Sequence, residues 1–485
     1  MIFVLIMEKR SDLIIILALI ASLLSGTIFG QSILKGPYLL YDDDNTRMEI
    51  LWQDDSTSTD TLSWWADSDS TSGFAAVPGF GLDYQHRLII NGLFPGTKYS
   101  YKLSVGSNDY SGTFYTAPPA GQHSLQFFAY GDSRTGVVNH NRLAGLINEC
   151  WTNQPEYQSF ILSMGDLVTN GNKESYWASD LFNAGYPDIG RMMANLPLLA
   201  CRGNHEGNAI LFGKYFPYPY IGKYYYSVDY GPAHIIFIDI YTPIKPGSEQ
   251  YNWLVNDLAG SASRWKFVCV HEPGWSAGAH PNNALVQDII EPLCEEFNVA
   301  VLFAGHNHYY ARAIVKNNDG DSVIHITTGG GGGPLYTPEP GMENVMIASK
   351  NWHFCKINIV NDDLLLFEAI SDSGKVIDLF SIDRKPATIV DRNLVQFFEI
   401  FPNPLKDQAS VEFTLSGAAV VKMTVFNLEG DDVKVLLPDT RCTQGKHKLA
   451  FDGSKLPGGV YLCKMIIKDD YGKMETVCRK VLIAR

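Results

Sequence analysis

Along residues 32–118 apolar and polar positions alternate in short runs. Arg47-Met48-Glu49-Ile50-Leu51-Trp52 reads as a half-buried strand, and Leu88-Ile89-Ile90 and Tyr99-Ser100-Tyr101-Lys102-Leu103 predict further strands. Between them, the Pro-Gly step of Leu93-Phe94-Pro95-Gly96-Thr97 marks a turn. Ala117-Pro118-Pro119-Ala120-Gly121 closes this all-β piece as a short, stiff linker. From 122 to 384 the pattern changes. Apolar runs at 125–129, 160–164, 196–200, 235–238, 266–270 and 299–304 predict strands, with helical spacing between them. One helix is expected to begin near Ser248, carrying Glu249, Trp253, Leu254 and Leu258. This alternation predicts a layered α/β domain. A strand at 323–327 runs into Gly329 to Gly333, either a loop of unusual backbone freedom or a place of close backbone approach. After a boundary at 385–396, residues 397–485 read as a second all-β sandwich. Its strands fall at 411–415, 422–427 and 459–467, and its turns at Asn427-Leu428-Glu429-Gly430 and Leu456-Pro457-Gly458-Gly459. The expected fold is therefore multidomain: a central α/β sandwich of β-sheets flanked by helices, between two small all-β sandwiches.

Composition refines this picture. Hydrophobic residues make up 46% and charged residues 19% of the 485, an ordinary balance for folded protein. The net charge of -14 argues against nucleic acid as a main partner, and an anionic ligand would have to be drawn in by local cations. Glu8, Lys9, Arg10 and Asp12 precede an apolar run at 13–24, followed by Ser25, Gly26 and Gly30, which predicts a signal peptide over 1–30. The other reading is a membrane anchor, but the run falls short of the roughly 20 residues a spanning helix needs. The mature chain is thus expected to carry no stable transmembrane segment. Export permits disulfides among the eight cysteines, yet the five central and three C-terminal ones would leave one unpaired in each domain. With no Cys-x-x-Cys pair, a structural zinc cluster is not expected. Cys269, inside an apolar strand, reads as a small buried hydrophobe.

Chemistry concentrates in five segments, each following an apolar strand: Gly131-Asp132-Ser133-Arg134, Gly165-Asp166-Leu167-Val168-Thr169, Gly203-Asn204-His205-Glu206, Val268-Cys269-Val270-His271 and Gly305-His306-Asn307-His308. Loops at the carboxyl ends of strands are where open α/β proteins place ligands. Clustered carboxylate and imidazole donors suit Zn, Fe or Mn.

As an ordered set these segments resemble the calcineurin-like metallophosphoesterases. The all-β piece ahead of them, whose Leu93 to Tyr99 corner is similar to that of fibronectin type III domains, narrows the resemblance to purple acid phosphatases. Tyr225 to Gly231 and the Trp253-Leu254 helix agree with it. The resemblance implies two divalent or trivalent metal ions (Fe, Zn or Mn). Asp166 would bridge them, Asn204, His271 and His306 would complete one, and Asp132 and His308 would hold the other. It further implies that His205 protonates the leaving group or contacts phosphate, and that His280 lies over the substrate. Glu206 or Asp239 would orient His205. Thr169 stands where the family keeps a tyrosine that supplies colour, so no purple colour is expected. Arg134 stands where other members keep a histidine, and its guanidinium matches a phosphate oxygen in geometry. The last domain resembles the C-terminal sorting domains of the Bacteroidetes type IX secretion system through Phe401-Pro402-Asn403-Pro404, Val425 to Gly430, Gly458-Gly459-Val460-Tyr461 and Arg479-Lys480-Val481-Leu482. That resemblance implies passage through the type IX machinery to a secreted or outer-surface location.

Together these resemblances imply a secreted acid phosphatase-type enzyme that hydrolyses small phosphomonoesters by a metal-bridging hydroxide. The alternatives are a phosphodiesterase acting on nucleotides or lipid headgroups, and a non-catalytic surface binding protein with a degenerate metal site. Trp64 and Trp65 are adjacent and should face opposite sides of their strand, leaving one able to touch a ligand.

Overall fold

The computed structural model describes residues 31–56, 59–67, 71–316, 322–384, 394–427, 431–469 and 474–485. The expected signal peptide, most of the 385–396 boundary and the turn at 428–430 lie outside the described residues. Among the described residues no helix is long and apolar enough to cross a membrane.

The N-terminal piece is a sandwich. A three-stranded sheet of Ile33–Leu40, Met48–Asp54 and Gln85–Ile90 packs on a four-stranded sheet of Ser72–Pro78, Thr59–Ala66, Lys98–Val105 and Asn108–Tyr115. Met48, Ile50 and Trp52 point into its core with Leu62, Tyr99, Tyr101 and Leu103. The strand expected to be half-buried is buried along its whole length. The reason is tertiary. Its other face, with Leu51 beside Tyr38 and Leu40, joins the core of the central domain. Polar residues on that face are paired: Glu49 accepts from Arg87 at 2.6 and 2.8 Å, and Lys35 reaches Glu174 at 2.8 Å. Fully burying one such apolar side chain stabilises by about 1.5–3 kcal/mol, so the sandwich is anchored on the central domain. Tyr38, Tyr41 and Tyr101 add hydroxyl hydrogen bonds to the carbonyls of Tyr215, Asp229 and Ala194. Trp65 is exposed while Trp64 packs against the sandwich core.

Two mixed sheets form the centre. One has the order Leu198–Ala200, Ile161–Ser163, Leu125–Tyr130, His353–Ile359, Leu364–Ser371 and Val376–Asp383, with its first three strands parallel. The other runs Tyr226–Tyr230, Ala233–Phe237, Trp265–Cys269, Val301–Ala304, Ser322–Thr328, Tyr310–Lys316 and Val345–Ser349, with four parallel strands in its middle. Aromatic side chains lock the sheets face to face: Phe127 stacks on Phe160 at 4.8 Å and meets Phe267 edge-on at 5.4 Å. Few helices cover them. The helix Glu249–Gly260 starts where expected, with the Ser248 hydroxyl accepting from the Tyr251 amide at 3.3 Å, and it buries Leu254 and Leu258. Ser and an acidic first turn favour a start at that point.

His234, on the strand beneath that helix, sits between Asp229 at 2.8 Å and Asp257 at 2.9 Å. Burial alone would lower its pKa, but the two carboxylates raise it to about 9. A histidine whose folded pKa is raised contributes stability that is complete below its unfolded pKa, about 6.5, and is lost as pH rises through the folded value. Denaturant unfolding at pH 6 and pH 10 is therefore expected to show a loss on the order of 2 kcal/mol that His234→Asn lacks.

The C-terminal piece is a second sandwich, of Val395–Phe401, Gln408–Leu415 and Gly445–Asp452 against Asp432–Cys442, Ala419–Phe426, Gly459–Asp469 and Met474–Ile483. It has its own core, with Val411, Phe413, Val421, Met423 and Met465. All eight cysteines are free, and Cys269 is fully buried as expected.

Candidate metal centre

The five motif segments leave the carboxyl ends of parallel strands from both central sheets and converge. Asp132, Asp166 and His306 have left-handed backbones, with φ of 59°, 54° and 65°. Non-glycine residues take this conformation at a cost, and such strain clusters at functional sites. Of the preceding glycines, Gly165 has a positive φ of 84°, whereas Gly305 is required by space: a Cβ there would lie 2.4 Å from Asp132 Oδ2.

One donor set is assembled around Asn204. Its Oδ1 lies 3.0 Å from His271 Nε2 and 3.1 Å from His306 Nδ1, and His271 Nε2 is 3.3 Å from His306 Nδ1 and 3.4 Å from Asp166 Oδ1. Bonds of about 2.0–2.2 Å to a tetrahedral cation separate its donors by about 3.3–3.6 Å, so this set fits a metal ion. Beside it stand Asp132 and His308, and donor atoms of Asp132, Asp166 and His271 lie within 4.8 Å of one another. Asp132 Oδ1 is buried without a hydrogen-bond partner and lies 3.4 Å from His308 Nε2. An orphaned carboxylate oxygen facing an imidazole nitrogen also fits a cation.

Main-chain carbonyls set the tautomers. His271 Nδ1 is 2.6 Å from the Met164 carbonyl, His308 Nδ1 2.7 Å from that of Pro334, and His205 Nδ1 2.7 Å from that of Thr169. A carbonyl only accepts, so each Nδ1 carries a proton and each Nε2 is the nitrogen left to face the site. Burial opposes charging His271, but Asp166 raises it to about 10. Burial likewise opposes ionisation of Asp166, yet His271 holds its carboxyl well below the usual range. A proton on His271 Nε2 and a metal ion thus compete for one lone pair. Burial, then the His271 charge, lowers His306 to about 3, keeping it a neutral donor.

The remaining candidates surround this cluster. Arg134 Nε donates to Asp166 Oδ2 at 3.1 Å, and its Nη2 is 3.4 Å from His308 Nε2. His205 Nε2 lies 3.9 Å from Asp166 Oδ2 and is partly exposed. The His280 ring is 4.1 Å from that of His306, and burial lowers its pKa. Thr169 bonds its hydroxyl to that of Thr135 at 3.0 Å.

Two expectations change. Asp239 does not orient His205: it pairs with Arg202 at 3.2 Å and accepts from Thr242 and the Tyr241 amide. Nor does Glu206. It is fully buried and accepts from the backbone amides of Asp166, Leu167 and Gly203 at 3.0, 2.8 and 2.7 Å, clasping two ligand loops together. Burial, then the Asp166 charge, pushes it up to about 7. The Thr169 carbonyl does the orienting instead.

Other supports were not read from the motifs. Asn307, between the two histidines, accepts from the His280 amide at 2.9 Å and donates to Ser276 at 3.0 Å, and so holds the His280 loop. Its place inside Gly305-His306-Asn307-His308 was the signal available. Tyr336 stacks on His308 at 4.5 Å, and no motif marks it. The glycine run is a close approach rather than a flexible loop. None of Gly329 to Gly333 has positive φ, and a Cβ at Gly329 would stand 2.3 Å from the Asn307 carbonyl and 2.9 Å from Asp132 Oδ2. Gly329→Ala is expected to cost about 1–3 kcal/mol through this clash and to lower bound metal, read by thermal unfolding and elemental analysis.

A family model of calcineurin-like phosphoesterases matches residues 123–310, and one of secretion-system C-terminal sorting domains matches 399–482. Probable purple acid phosphatase 20 of Arabidopsis thaliana is 28% identical over 273 residues, 50% of this chain and 60% of that protein. Acid phosphatase type 7 of Mus musculus is 27% identical over 343 residues, 61% of this chain and 76% of that protein. Purple acid phosphatase PPD1 from yellow lupin (Lupinus luteus) seeds shares the fold, with a TM-score of 0.60 and 17% identity over 72% of this chain and 75% of its own. The chain thus contains a calcineurin-like metallophosphoesterase domain with a candidate dinuclear site and has purple acid phosphatase homologues. It ends in a sorting domain that marks it for secretion. It spans 58–60% of the length of the Arabidopsis purple acid phosphatases it matches first.

Proposed function

We propose that the chain is a secreted, metal-dependent phosphomonoesterase of the acid phosphatase type. The observation that supports this reading is two adjacent donor sets with imidazole nitrogens facing inward, and with donor atoms of Asp132, Asp166 and His271 within 4.8 Å of one another. Asp166, Asn204, His271 and His306 would hold one cation, and Asp132, Asp166 and His308 the other. When bound, two adjacent cations would supply Lewis acidity toward phosphate oxygens and lower the pKa of a nucleophilic water.

The chain's own groups do the rest. Arg134, which donates Nε to Asp166 Oδ2, would offer its remaining N–H groups to a phosphate oxygen in a charge-assisted hydrogen bond. His205, its Nδ1 proton committed to Thr169, presents Nε2 to the departing oxygen; protonated there, it acts as general acid. The rings of His280 and Tyr336 pack against those of His306 and His308, where they would shield the site from water.

The test is hydrolysis of a phosphomonoester and a phosphodiester by the mature protein after chelation and re-addition of Zn, Mn or Fe. Metal-restored cleavage of the monoester supports the reading. Preference for the diester moves the substrate class to phosphodiesters, and no cleavage with any metal, together with no bound metal, leaves a surface binding protein.

A further inference from the structure

We propose that the N-terminal sandwich binds a separate, structural divalent cation of the zinc type between its two sheets, held by Asp54, Asp60 and His86. Asp54 ends the strand Met48–Asp54, and His86 lies on its neighbour Gln85–Ile90. Asp60 lies on Thr59–Ala66 of the opposite sheet. The three side chains are buried to within 1% and bring their donor atoms within 4.8 Å of one another.

The decisive atom is His86 Nε2. His86 Nδ1 is 3.1 Å from the Val77 carbonyl, so Nδ1 carries a proton and Nε2 is the nitrogen left for a cation. Nε2 faces Asp54 Oδ2 at 3.3 Å and Asp60 Oδ2 at 3.6 Å, yet it is buried and makes no hydrogen bond. A buried nitrogen among carboxylate oxygens needs a positive charge between them, either its own proton or a bound cation. The separations are those of donors around a tetrahedral cation, about 3.3–3.6 Å, and resemble the 3.4 Å between His271 and Asp166.

Charge leads the same way. The other partners of the two carboxylates are neutral: Trp52 Nε1 at 2.6 Å from Asp60, Gln31 between Asp60 and Asp54, and the Ser56 amide at 3.1 Å from Asp54. A proton on His86 would leave the buried group with one net negative charge, whereas a divalent cation with neutral His86 leaves none. The supporting contacts are those a ligand imidazole uses, a backbone carbonyl on the second nitrogen and Trp52 stacked at 5.0 Å to hold the ring. Rotating the Gln31 amide would turn its oxygen inward as a fourth donor. One imidazole with two carboxylates favours zinc or manganese over calcium or magnesium. Such an ion would staple together the two sheets of the domain that rests on the phosphoesterase core.

Zinc-loaded, desalted full-length protein is expected to lose one equivalent of zinc in Asp54→Asn and in Asp60→Asn, both close in shape to wild type. Asp166→Asn protein, with the sandwich unaltered, is expected to retain that equivalent. X-ray absorption of this retained zinc should show a single imidazole in an otherwise oxygen shell. Equal zinc in wild type and both sandwich variants would overturn the proposal and assign His86 as an imidazolium. Two or more imidazoles on the retained zinc would overturn it too, by assigning that zinc to the catalytic loops.

Discussion

Asp166→Asn is expected to reduce kcat/KM for a phosphomonoester by at least about 10³-fold, some 4 kcal/mol of transition-state stabilisation. Bound metal at the central site should fall from two equivalents to none that survives desalting, because the bridging carboxylate is lost. The substitution preserves shape, so the loss measures chemistry. Asp166 lies 3.4 Å from His271 Nε2 with an Asp132 donor atom within 4.8 Å, and it also accepts from the His205 amide at 2.8 Å and from Arg134 at 3.1 Å. An amide there loses the charge and turns a donor toward one of these groups. Steady-state kinetics with elemental analysis gives the result. Activity within tenfold of wild type would remove Asp166 from the reaction.

Glu206→Ala is expected to be the most damaging substitution for stability. It removes the acceptor for three backbone amides inside the fold. Each buried donor left unpaired costs about 1–3 kcal/mol, so a loss of at least about 3 kcal/mol is expected. The same change frees the loops that present Asp166 and Asn204, so metal affinity should fall with stability. Calorimetry with and without zinc measures both. A melting temperature within two degrees of wild type, with unchanged zinc content, would contradict the role assigned to this clasp.

Much of the site was legible because each ligand group is local. A strand, a glycine and a ligand fall within a few consecutive residues, as in Gly165-Asp166 and Gly305-His306-Asn307-His308, so pattern alone marks them. The role of Glu206 was legible only as a neighbour of His205. Its side chain turns inward to serve amides some forty residues earlier, and no spacing encodes that.

Local patterning reached the strands, the Ser248 helix start, the layered centre with its flanking sandwiches, and the grouping of ligands after strands, because each depends on interactions within a few residues. Contacts between distant segments did the rest. Packing of the N-terminal sheet on the central core buried both faces of Met48–Asp54. Close approach of Gly329 to Asn307 explained the glycine run, and carbonyls from Met164, Thr169 and Pro334 chose the histidine tautomers. Asp54, Asp60 and His86 meet only when two sheets close on each other. Each of these outcomes depends on which surfaces fold together, and that is a property of the whole chain rather than of any window along it.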